Sequence, residues 1–112
     1  PKPKTVEGKL KGVVLKVDRF GNVITNLRPQ DVPTLFGADP VPFKINAGKR
    51  EITSLHSVYA EGEAGEVFAI VGSMGYLELA ANRGSAAQLL GIAKGAEVTL
   101  TLEQGNAASS GK

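Results

Sequence analysis

The sequence predicts an all-β fold: a small closed or nearly closed β-barrel of about seven short strands with one short helix. Two observations carry that prediction. Apolar and β-branched stretches of strand length recur between clusters of Gly, Asn and Pro, and only one stretch is flanked by helix-cap residues. Closure follows, because so many short strands in an open sheet would leave unpaired edges. An all-β sandwich is the alternative packing of the same strands.

Residues 1–7, opening Pro1-Lys2-Pro3-Lys4, read as an extended linker ahead of a barrel domain over 8–103, so the chain is expected to be a piece of something longer. Val13, Leu15 and Val17 alternate with Lys16 and Asp18, which predicts a strand with one buried face. Gly21-Asn22 predicts a tight hairpin turn, with Val23 to Leu27 as its return. From Arg28 to Gly37 two prolines allow only a helical turn or irregular loop, with Leu35 and Phe36 plugging one end of the core. Pro40 to Ile45 reads as a short strand, Pro42 marking its edge or start. Glu51 to Tyr59 is a further strand with both faces mixed, whereas the apolar run Val67 to Val71 predicts a strand buried on both sides. Gly72 to Gly75 turns the chain into a strand from Tyr76 to Ala80. Ser85 is placed to cap one or two helical turns over Ala86 to Ile92, ending at Gly91 or Gly95. Val98, Leu100 and Leu102 alternate with Thr99, Thr101 and Glu103 in a last strand, and residues 104–112 read as a disordered tail.

A chain of 112 residues, 42% apolar, supports one core, and with 5% aromatics and no Trp that core must be mainly aliphatic. No Cys and a single His exclude thiolate chemistry and a multi-histidine zinc site within the chain. A net charge of +2, with Lys2, Lys4, Lys9 and Lys11 near the start, does not describe a nucleic-acid groove. No apolar run has the length of a membrane helix and no signal-peptide pattern opens the chain, so neither membrane nor nucleic acid is an expected partner and a cytoplasmic location is expected.

If the first strand runs through Phe20, its two-residue period places Asp18 and Phe20 on one face with Asn22 at the bend beside them. A carboxylate, a ring and an amide in one patch suit a small molecule with a cationic group and a flat base. The same residues are also ordinary turn and core residues.

The run Asp18-Arg19-Phe20-Gly21-Asn22-Val23-Ile24-Thr25-Asn26, followed by Gly72-Ser73-Met74-Gly75-Tyr76 and on to Asn82-Arg83-Gly84-Ser85-Ala86-Ala87, resembles the C-terminal β-barrel domain of the S-adenosylmethionine hydroxide adenosyltransferase family, relatives of the fluorinase and chlorinase. The similarity covers roughly residues 8 to 103. It implies a substrate-binding half of an enzyme that hydrolyses S-adenosylmethionine to adenosine and methionine, with no cofactor. A missing N-terminal α/β domain would supply the water-activating Asp, Arg and His, and the substrate would lie at a subunit interface of a homotrimer. None of those catalytic residues belongs to this stretch, and the barrel alone is expected to be inactive.

Carried onto this sequence, the resemblance implies that Asp18 pairs with the methionine ammonium, Phe20 packs on the adenine and Asn22 hydrogen-bonds the base. Ser73 would reach the methionine end with Met74 beside it, Tyr59 would wall the base, and the backbone around Asn82 and Arg83 would read the adenine edge. Met74 stands where the fluorinase has Arg, and that enzyme has one more residue between its Asp and Phe; of the two departures, Met74 points away from halide chemistry. His56 is read as structural and Glu78 as a strand carboxylate facing solvent or an interface. Two other functions stay open: a barrel for single-stranded nucleic acid, which would need a basic groove with stacking aromatics where the chain has four Phe and two Tyr, and a non-catalytic trimerisation module.

Overall fold

The structure, a computed structural model, describes residues 2–103; Pro1 and the expected tail 104–112 lie outside them. Its strands are β1 (Lys4–Val6), β2 (Lys9–Val17), β3 (Val23–Thr25), β4 (Phe43–Ala47), β5 (Arg50–Ile52), β6 (Val67–Val71), β7 (Leu77–Ala81) and β8 (Glu97–Leu102), with one helix, α1 (Ala86–Leu90). Seven strands form an antiparallel sheet in the order β5-β4-β8-β2-β3-β7-β6, and β1 pairs with β2 off that path. The segment after β5 returns to the far edge: Ala69 N–H donates to Ser54 O at 2.8 Å and His56 N–H to Ala69 O at 2.9 Å. Those bonds nearly close the barrel, as the density of short strands requires.

Several elements differ from their sequence readings, for physical reasons. Within the lead read as a linker, Lys4–Val6 pair with Lys9 to Lys11 across Glu7 and Gly8, both at positive φ, the conformation of a tight two-residue hairpin turn. In β2 the inward residues are Leu10, Gly12 and Val14, not Val13 and Leu15. Leu15 is an extra residue between the pairs Val14↔Thr25 and Lys16↔Ile24, and this bulge reverses the alternation so that Val17 faces inward again. At the open end Val32 and Leu35 plug the core while Phe36 is 39% exposed, because two successive one-turn 3-10 helices, Pro29–Asp31 and Pro33–Leu35, point residues three apart the same way. Only Arg50–Ile52 of the stretch to Tyr59 is strand; the rest is loop, and Tyr59–Glu61 form another 3-10 turn.

Other readings hold. β4 begins just after Pro42 and buries Phe43, Ile45 and Ala47. The run in β6 is covered on both sides, Val67 and Ala69 joining the main aliphatic core and Phe68 and Ile70 a second cluster with Ala80. Ser85 Oγ accepts from Gln88 N–H and Gly91 closes α1 in the left-handed conformation. Among the described residues no helix is long and apolar enough to cross a membrane.

Candidate functional site

Two hairpin turns share one design. In the β2–β3 turn Gly21 N–H donates to Asp18 O and Asp18 N–H to Asn22 O, each at 3.0 Å; in the β6–β7 turn Gly75 N–H donates to Gly72 O at 3.0 Å and Gly72 N–H to Tyr76 O at 2.9 Å. Gly21 and Gly75 both sit at φ +86°. Each is a three-residue loop ending in a left-handed Gly; the bonds that close the first run between Asp18 and Asn22, so Gly21-Asn22 is its end and not its centre. Strand β2 stops at Val17, so strand period does not bring Asp18, Phe20 and Asn22 together.

The Asp18 side chain does so instead. Its Oδ1 accepts from the N–H groups of Phe20 and Asn22 at 2.9 Å each, and Oδ2 accepts from Asn22 Nδ2 at 3.1 Å. A carboxylate has about four acceptor positions, so Asp18 retains one on Oδ2 for an incoming cation. Asn22 in turn is held with one N–H committed, which leaves its second N–H and its carbonyl oxygen as an adjacent donor and acceptor. That pair matches the amino and ring-nitrogen edge of adenine. Phe20 is 67% exposed, with the Arg19 guanidinium 5.1 Å from its ring centroid.

The turn is docked on α1. Gly21 O accepts from Ala87 N–H at 2.9 Å, and a Cβ on Gly21 would overlap Ser85 Oγ. Between the turn, the Tyr59 loop and the residues after β7 opens a cleft of about 620 Å³, lined by Asp18, Phe20, Asn22, Tyr59, Arg83 and Gly84, with Ala81 at its base. Arg83 is at φ +62°, which only a shaped turn imposes on a side-chain-bearing residue. Asn82 is used differently: its Nδ2 donates to Gly62 O at 2.6 Å, tying down the Tyr59 loop.

That loop has further anchors. Glu61 Oε1 accepts from Ser57 N–H at 2.8 Å, Phe68 lies edge-on to Tyr59 with centroids 6.4 Å apart, and His56 Nε2 is 3.2 Å from Glu66 Oε2. His56 is therefore structural, wedged between a glutamate and the Phe68 ring at 4.7 Å. Glu66 is held below the ordinary carboxylate range, chiefly by the Glu63 N–H and then by His56 and Ser54. A depressed carboxyl contributes its stability above its unfolded value and loses it as pH falls through the folded one. Thermal midpoints should therefore drop on acidification below the ordinary carboxylate pKa, and Glu66→Gln should lower the midpoint at neutrality while flattening that acid limb. An identical acid limb in the variant would remove Glu66 from the account.

Ser73 and Met74 do not line the cleft. They line an adjoining groove of about 280 Å³ across the outer face of β2, β3 and β7, together with Ile24, Tyr76, Glu78 and Asp18. The two turns stand at opposite ends of the β3–β7 pairing, which runs only from Val23↔Leu79 to Ile24↔Glu78. Asp18 belongs to both cavities and joins them. Glu78, read from sequence as facing solvent or an interface, is 7% exposed and accepts the Tyr59 hydroxyl at 3.0 Å. Alternation in β7 could not reveal this, since Leu77, Leu79 and Ala80 around it are buried on both faces too. Thr25 and Asn26, part of the same sequence run, serve the scaffold: Thr25 Oγ1 donates to Leu77 O at 2.7 Å and Asn26 Oδ1 accepts from Val13 N–H at 2.9 Å.

A model of the family described as the SAM hydroxide adenosyltransferase C-terminal domain matches residues 12–99. An (R)-S-adenosyl-L-methionine hydrolase from Thermus thermophilus is 40% identical over 89 residues, which cover 80% of this chain and 31% of that protein. Among solved structures, an uncharacterized conserved protein from Thermotoga maritima superposes with a TM-score of 0.76 at 29% identity, over 90% of this chain and 39% of its own. A conserved hypothetical protein from Thermus thermophilus gives 0.63 at 38% identity, over 86% and 36% respectively. The chain thus spans about a third of the curated relative.

Proposed function

Because this chain belongs to the SAM hydroxide adenosyltransferase C-terminal domain family, we propose that its cleft and groove bind S-adenosylmethionine for hydrolysis to adenosine and methionine. The observation that carries the reading is the place of Asp18, whose carboxylate fixes the Asn22 amide in the cleft and also lines the groove. The adenine lies in the cleft, with Phe20 and Tyr59 as apolar walls, Asn22 on its amino edge and the Arg83–Gly84 backbone beside it. The methionine arm follows the groove past Asp18 toward Ser73 and Met74, its ammonium on the free Oδ2 position.

In the reaction a C5′–O bond forms as the C5′–S bond breaks, the electron pair leaving with sulfur as a neutral thioether. The leaving group needs no proton, so the only acid–base task is removal of a proton from water. No group in the cleft is offered for that task. Displacement also requires an aligned nucleophile and a dry site, and one open wall provides neither. The reading therefore assigns water activation to an α/β domain in the remaining length of such an enzyme, and closure of the site to a neighbouring subunit of a trimer. No cofactor takes part.

Adenosine added to the 112-residue chain should shift the amide resonances of Phe20, Asn22, Arg83 and Gly84, with weak affinity and no hydrolysis of S-adenosylmethionine by the chain alone. Inosine should bind less well, because its oxo group meets the Asn22 carbonyl. Asn22→Ala should weaken adenosine binding about tenfold, the worth of one to two hydrogen bonds. A spectrum indifferent to adenosine, or equal affinity in the Ala variant, would count against the assignment.

A further inference from the structure

Glu78 is a carboxylate with 7% exposure in a strand otherwise built from Leu and Ala. Burying a carboxylate is costly unless a polar group answers it. Here the answer is the Tyr59 hydroxyl, donating to Oε1 at 3.0 Å from a loop 19 residues earlier. The strand's partner turn makes the space: a Cβ on Gly72 would overlap Glu78 Oε2. The carboxylate thus stands between the cleft wall at Tyr59 and the groove that it lines with Asp18.

We propose that Glu78 is a positioning residue of the cleft, holding the Tyr59 ring as a wall and committing its only O–H, so that the phenol oxygen accepts hydrogen bonds from a bound molecule and gives none. A phenol has one donor and two lone pairs; with the donor spent on Glu78, a ligand hydroxyl or amine is welcomed there and an acceptor is refused. Burial first, then Glu78 and Asp18, push the Tyr59 hydroxyl up to about 12, so it keeps its proton well past neutrality. The loop's backbone is anchored by Glu61, Asn82 and Phe68, none of which needs Glu78. Loss of the carboxylate therefore frees the ring and leaves the loop in place. The ligand side of this proposal rests on the nucleoside reading above; the Tyr59 contact does not.

Two readouts separate those layers. In the 112-residue chain, with only two tyrosines, carbon-13 NMR of tyrosine Cζ follows each hydroxyl through alkaline pH, Tyr76→Phe assigning the pair. Glu78→Gln removes the charge and keeps an acceptor; Glu78→Leu removes both. Tyr59 should titrate lower than native in each. Adenosine affinity should fall about tenfold in Glu78→Leu and stay within about threefold in Glu78→Gln, as expected for one directional hydrogen bond. Should the Leu variant not fold, the Gln variant carries the test through its lowered Tyr59 titration with adenosine binding kept. An unchanged titration, native adenosine affinity in Glu78→Leu, or equal losses in both variants would overturn the proposal. Failure of the native chain to bind adenosine, with the titration shifts present, would instead sink the nucleoside reading and leave the Glu78–Tyr59 coupling standing.

Discussion

Phe68→Ala is expected to remove about 3–5 kcal/mol of folding stability, the usual cost of emptying a fully buried aromatic site. A domain of this size has about 5–15 kcal/mol in all, so the variant should be marginal, with its urea midpoint by circular dichroism far below native. The size of the loss follows from where the ring sits. Phe68 is fully buried in a cluster with Ile70 and Ala80, apart from the main aliphatic core. It meets His56 and Tyr59, and Gly62 lies against its edge so closely that a Cβ there would overlap the ring. With Phe68 gone, His56 and Tyr59 lose a common packing surface, so amide exchange should accelerate most over residues 56–62. Phe43→Ala, in the other core, is the comparison: a loss of stability without that selective exchange. Equal acceleration in both variants would mean that the Tyr59 loop does not depend on Phe68.

Gly21→Ala should cost about 3 kcal/mol, more than the 1–2 kcal/mol ordinarily charged for an L-residue in the left-handed region. Gly75→Ala measures that ordinary charge, since Gly75 has the same turn, the same φ of +86° and nothing within 4 Å of its would-be Cβ. At Gly21 the added carbon overlaps Ser85 Oγ and comes within 2.8 Å of Ser85 Cα, which is backbone and cannot swing aside. The turn must lift from α1, breaking the Ala87 N–H bond to Gly21 O and carrying Phe20 and Asn22 out of the cleft. Adenosine binding should then be lost in Gly21→Ala and kept in Gly75→Ala. Matching melting temperatures for the two variants would show that the close approach to Ser85 carries no energy.

These expectations mark how far local chemistry reaches. That Asp18, Phe20 and Asn22 share one patch is legible in the sequence, because carboxylate, ring and amide lie within five positions and the turn that gathers them is made by hydrogen bonds among those same positions. The mechanism read from strand period was wrong, and the patch formed anyway. Ser85 and Gly91 were equally readable, as helix caps act within one turn. The motif resemblance singles out Ser73 and Met74, but not that they line a groove beyond the cleft, at the other end of the β3–β7 pairing.

By itself the chain determined its strand-and-turn class, its aliphatic core, its caps and the presence of a turn that presents Asp18, Phe20 and Asn22, because each depends on neighbours a few residues away. The fold alone decided which face of β2 points inward, since the bulge at Leu15 exists only in the pairing with β3, beyond the residues that pair with β8. It likewise decided that Glu78 is buried against Tyr59 and that Asp18 joins cleft to groove. Those are contacts between segments far apart along the chain, and their free energy comes from excluding water between surfaces that only the nearly closed barrel brings together.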